Sequence, residues 1–199
     1  MATKKKSFAR VVSPKGKAMY PFLSKPDTKF DSDGVYRLNL VVGGDSGEAF
    51  VDQLREYHDK YYDEFCEKEG NALNKANLPI KPHLDGDGQE TGEYEVKFKL
   101  KAVGKSKDKT WEQRPVVYDA SNNVINTSSL EGLNMGNGSE CRVAFEIIPY
   151  NTGMAGMGIS LRMKSVQIIN LVEYRGGHND FETEEGFTVE QGVGEASDF

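Results

Sequence analysis

Over most of this chain apolar and polar residues alternate with a period of two, the signature of half-buried β-strands. In "VYRLNLVV" Tyr36, Leu38, Leu40 and Val42 share one face while Arg37 and Asn39 take the other. "EYEVKFKLKAV" packs Tyr94, Val96, Phe98, Leu100 and Ala102, and leaves Glu93, Glu95, Lys97, Lys99 and Lys101 as a column of charge. "ECRVAFEII" buries Cys141, Val143, Phe145 and Ile147 and exposes Arg142; "GISLRMK" buries Ile159, Leu161 and Met163 and exposes Arg162 and Lys164. The alternation slips near Ser165, which predicts a bulge or a sharp bend. "RPVVYDASNNVI" reads as a hairpin turning at Ser121, Asn122 and Asn123.

One stretch has the helical period instead. Phe50, Leu54, Tyr57, Tyr61 and Phe65 line a face of residues 47–69, Asp45 and Glu48 have capping-box spacing, and Gly70 is a stop signal. About five curved strands interrupted by one α-helix, with Gly-rich connections, predict a mainly β domain: a small, partly open five-stranded β-barrel such as the oligonucleotide-binding (OB) fold, with a sandwich as the rival. That domain covers residues 1–175, and residues 176–199 form a flexible tail too polar to offset the entropy of ordering it.

Charge sharpens the picture. The chain of 199 residues carries a net −6, but after Arg175 it has no Lys or Arg and seven acids, from Asp180 to Asp198. The remainder holds 25 basic residues against 24 acidic ones, so a near-neutral body bears an anionic tail. Within the body, Lys4, Lys5, Lys6, Arg10, Lys15 and Lys17 form one acid-free basic cluster, and residues 97–114 form a second. Basic clusters on a near-neutral body suit a polyanionic partner.

The second cluster holds the candidate chemistry. Lys97, Lys99 and Lys101 run into the "GKSKDK" loop with Lys105 and Lys107, then Trp111, Arg114 and Tyr118. Cations that track a phosphate backbone beside rings that accept unstacked bases are what a single-strand binder needs. Arg142, Arg162 and Lys164 extend the cationic surface if their strands are neighbours, and Tyr150 is a second stacking platform. A Mg²⁺-dependent nuclease is the alternative, with Asp85 or Asp87, Glu95 and Lys97 as the metal and water constellation. The simpler reading is a turn at "LDGDGQETG" followed by alternating charge. Two distant cysteines and three scattered histidines form neither a disulfide framework nor a zinc site, and no cofactor is expected. "MATKKKSF" is not followed by an apolar run, and no apolar stretch long enough to span a membrane is present.

The order of "MYPFLSKPDTKFDSDGVYRLNLVV", "RPVVYDASNNVI", "CRVAFEIIPYNTGMAGMGISLRMKSVQIINLVEY" and an acidic end in "SDF" resembles the single-stranded DNA-binding proteins of tailed bacteriophages. The resemblance spans residues 8–174 and the tail. It implies an OB-fold protein, not an enzyme, that coats single-stranded DNA in phage replication, recombination and repair within the cytoplasm of the infected host. It further implies a homodimer, and a tail that docks phage DNA polymerase and helicase-primase through Glu190, Glu195, Asp198 and Phe199. A phage structural or interaction protein without DNA affinity is the remaining alternative.

Overall fold

The computed structural model describes residues 8–107 and 109–174, so the predicted tail, including Glu190, Glu195, Asp198 and Phe199, lies outside the described residues. The strands are β1 (Arg10–Val12), β2 (Gly16–Asp27), β3 (Val35–Val42), β4 (Ile80–Leu84), β5 (Glu90–Lys101), β6 (Val103–Ser106), β7 (Lys109–Glu112), β8 (Val116–Tyr118), β9 (Glu140–Thr152) and β10 (Gly156–Asn170). Among the described residues two helices accompany them, α1 (Gly44–Glu69) and α2 (Thr127–Gly132).

The alternating faces decide the architecture. Leu38, Leu40, Val96, Phe98, Val143, Phe145, Leu161 and Met163 are all buried in one core, so each strand turns the same parity inward. Starting from β2, the sheet runs through β3, β5, β10 and β9 and back to β2. It therefore closes on itself as a five-stranded barrel, the OB arrangement, and not as two packed sheets. The closure is thin at two seams. β5 meets β10 in parallel at the single register pair Arg162↔Lys99, and β2 meets β9 at Gly16↔Cys141 and Lys17↔Glu140. At the centre Phe145 lies 4.9 Å from Phe98 and 6.0 Å from Phe50, ring centroid to ring centroid.

The bulge expected near Ser165 is present: Met163 faces Phe145 and Ser165 faces Ala144, so Lys164 is the extra residue. The "RPVVYDASNNVI" turn also forms. Asp119 N–H donates to the Asn123 carbonyl and Ile125 N–H to that of Val117, but β8 gains its main pairing from β10, in parallel.

Three expectations need correction. The helix begins at Gly44, with Gly43 as N-cap and no side-chain cap; Asp45 thus falls inside the first turn, where its charge suits the helix dipole, and the capping box with Glu48 does not form. Its buried face is Phe50, Val51, Leu54 and His58, with Tyr57 and Tyr61 only half-buried against the core. Gly70 does end it, in the left-handed conformation at φ 70°. A second helix, α2, escaped the periodicity because six residues are under two turns; Asn126 Oδ1 caps it by accepting the Ser129 N–H at 2.8 Å. Finally, Glu95 is buried, not exposed. It accepts a 2.6 Å hydrogen bond from Asn39 Nδ2 and lies 3.2 Å from Lys81 Nζ.

Candidate nucleic-acid interface

With the apolar parity of β3, β5, β9 and β10 turned inward, the polar parity faces out, and strand register sets which charges become neighbours. Across the barrel exterior one lateral row reads Arg10, Glu146, Arg162, Lys99, Arg37 and Phe22, each the register partner of the next. Lys97 stands beside Asn39 and Lys101 beside Val35, on either side of Lys99 along β5. Three of the predicted lysines and Arg162 are thus brought together, and Arg37 joins them from β3.

The cations of this face differ in what already neutralises them. Arg162 is held by Glu146, with Nε at 3.0 Å from Oε2, and stacks over the Phe8 ring at 5.4 Å. Arg37 bonds Asp27 at 2.8 Å and lies 4.6 Å above the Phe22 ring. Lys101 lies 3.7 Å from Asp31, and Lys105 pairs with Asp33. Asp27, Asp31 and Asp33 all belong to the end of β2 and its connection to β3, so one short segment neutralises three cations. Among the described residues Lys97 and Lys99 form no ion pair. Burial, reinforced by the charges of Lys97 and Lys101, lowers the Lys99 ammonium below its ordinary pKa.

Beyond β5 the chain folds into the β6–β7 hairpin, which carries Lys105, Lys107 and Trp111. Trp111 is 47% exposed. Its indole lies across Gly104 on the partner strand, where any Cβ would meet ring atoms at 2.3–2.5 Å. One side of the ring is therefore backed by glycine while much of the residue remains open. Arg114 follows the hairpin on the rim of a cavity of about 330 Å³ that Asp33 also lines. Tyr150, half-buried, lies over Gly158 in the same manner, so both predicted platforms also cover a bare glycine of their neighbour.

Other predicted residues sit apart. Arg142 and Tyr118 share a row through Gln167, four residues along β9 from Glu146, or about 13 Å at strand rise. Lys164 occupies the bulge between them and Arg162. Sequence reasoning missed Arg37 and Phe22 as site residues. Arg37 was legible as outward-facing, but only the β3–β5 register puts it beside Lys99.

The nuclease constellation does not assemble. Asp85 caps its own turn, accepting N–H bonds from Asp87 at 2.9 Å and Gln89 at 2.8 Å, and Glu95 is consumed by Asn39 and Lys81. These acids are structural, and Lys97 faces outward next to Asn39.

Against this geometry stand the comparisons with known proteins. The pattern of the family described as single-stranded DNA-binding protein, Bacteriophage T7, matches residues 15–171. The chain belongs to this family. Among similar members, the single-stranded DNA-binding protein of Escherichia phage T7 is 26% identical over 89% of this chain and 83% of its own length. That of Enterobacteria phage T3 is 27% identical over 81% of this chain and 75% of its own. The crystal structure of gp2.5, a single-stranded DNA-binding protein encoded by Bacteriophage T7, superposes with a TM-score of 0.70 at 25% identity, over 92% of this chain and 99% of that one. The single-stranded DNA-binding protein of bacteriophage Enc34, solved in complex with single-stranded DNA, shares the fold with a TM-score of 0.62 at 18% identity, over 88% of this chain and 97% of that one. Members of the family are binding proteins, not enzymes, which agrees with the structural roles of Asp85 and Glu95.

Proposed function

We propose that this phage protein binds single-stranded DNA across the outer face of β3, β5 and β10, coating it without strong sequence preference during replication, recombination and repair. Phosphates bind the lysine column, and bases stack on Trp111 at its end. The observation that carries the reading is the pair Lys97 and Lys99, two cations with no ion pair among the described residues, Lys99 standing between Arg162 and Arg37 on the barrel exterior and Lys97 next to it along β5. Family membership supports the same ligand. The anionic end of the chain, with Glu190, Glu195, Asp198 and Phe199, recruits replication enzymes such as phage polymerase and helicase-primase. The protein acts as a homodimer in the cytoplasm of the infected host.

Titrating Trp111 fluorescence with single-stranded and duplex DNA tests this. Single strands should quench the indole, with a log–log salt slope of about −0.7 per phosphate neutralised, while duplex binds far more weakly. Equal affinity for both forms, or no quenching with either, would refute it.

A further inference from the structure

A cavity of about 1060 Å³ opens between β2, the α2–β9 connection and the residues after β10. Its floor includes Leu133 and Met135, and its rims carry Tyr20 and Tyr174, 55% and 65% exposed. It does not stand alone, because Phe22 and Arg37, the last two members of the cationic row, form one of its walls.

Tyr20 is held there at a cost. From Met19 to Phe22 β2 advances three residues while β3 advances two, so the strand bulges. Tyr20 takes φ 51°, a left-handed conformation that bulky residues rarely adopt and that the following Pro21 disfavours further. Its N–H donates to Asn137 Oδ1 at 2.7 Å, which pins the strained backbone to the opposite wall. Strain of this kind persists where the surroundings impose it, and here it lifts an aromatic ring to the rim of a groove.

Resting on the DNA-binding reading above, we propose that this groove is a second single-strand subsite, which takes nucleobases from a strand leaving the lysine column at Arg37. Lys99, Arg37 and Phe22 occupy successive strands, so a backbone crossing them reaches the groove within two strand spacings, about 10 Å. Lys25 lines the groove as a cation, Arg37 is already bonded to Asp27 and lies over the Phe22 ring, and Glu173 also lines the groove, so it is the exposed rings of Tyr20 and Tyr174 that offer faces for unstacked bases. The Asn134 amide can both donate to and accept from a base edge. The lysine column then sets basal affinity, and the groove adds to it only for strands long enough to reach.

The experiment compares the full chain with Tyr20→Asn and Tyr174→Ser on oligo-dT of about 4 and about 16 nucleotides, the range a single OB fold covers. Each variant should lose about tenfold or more on the long oligonucleotide and less than about twofold on the short one. Tyr20→Asn should melt no lower than the parent, because Asn tolerates the left-handed region better than Tyr. Equal losses on both lengths, or none on either, would overturn the subsite. So would tighter long-strand binding, which would mean that residues 175–199 fill the groove, or a change in self-association with affinity untouched. If the unmodified protein binds neither oligonucleotide, the DNA-binding reading itself fails, a result distinct from all of these.

Discussion

Replacing Lys97 and Lys99 together by Met removes two neighbouring cations of the face that form no ion pair among the described residues. Because no carboxylate among the described residues has to be displaced from either, each should contribute a full counterion-release increment, about 0.7 in the log–log salt slope for single strands. The double variant should therefore lose about 1.4 from the parent's slope. If that term vanishes near 1 M salt, the affinity loss is about 65-fold at ~50 mM and about tenfold at ~200 mM. Lys101→Met with Lys105→Met is the matched control. Those two exchange Asp31 and Asp33 for phosphate, so their removal should change the slope by less.

Stability separates lost binding from lost folding. The pKa of Lys99 is depressed in the native state, so carrying its charge penalises folding; the penalty is complete below that lowered pKa and fades as pH climbs toward 10.5, where the unfolded chain also deprotonates. The Lys97/Lys99 variant should accordingly melt higher than the parent at neutral pH, with the gap narrowing in alkali. Salt-dependent binding followed by fluorescence anisotropy, with thermal melts alongside, reads both quantities. An unchanged slope in the Lys97/Lys99 variant, or an equal change in the control, would refute the argument that neutralised and free cations act differently.

Asp31→Asn with Asp33→Asn should tighten single-strand binding by about threefold at low salt, because the freed Lys101 and Lys105 no longer give up a carboxylate; weaker binding would show that the acids organise the site instead. Phe145→Ala removes the ring that joins Phe98 to Phe50 at the barrel centre and should cost about 3–5 kcal/mol in urea unfolding. A loss under about 1 kcal/mol would mean that the core closes around the gap.

Much of the barrel was legible along the chain, because the strand period alone says which side chains face in. Phe98, Leu100, Val143, Phe145, Leu161 and Met163 are buried as their alternation requires, and the slip at Lys164 is a real bulge. The exceptions have local causes. A six-residue helix has too few turns to show a period, and Glu95 obeys the parity of its strand yet is covered by Asn39, Lys81 and His83 from neighbouring strands.

What a strand's own pattern cannot contain is its lateral neighbour. Lys99 was visible as an outward cation, but Arg37 beside it, Glu146 on Arg162, and Asp31 and Asp33 on Lys101 and Lys105 depend on pairings between residues 16 to 72 positions apart. The sequence by itself determined which residues carry charge outward and which close the core, since those follow from a two-residue repeat within each strand. Only the tertiary structure decided which charges are cancelled, which stay free, and where Tyr20, Phe22 and Tyr174 line one groove, since register and closure are set by the whole barrel packing around its core.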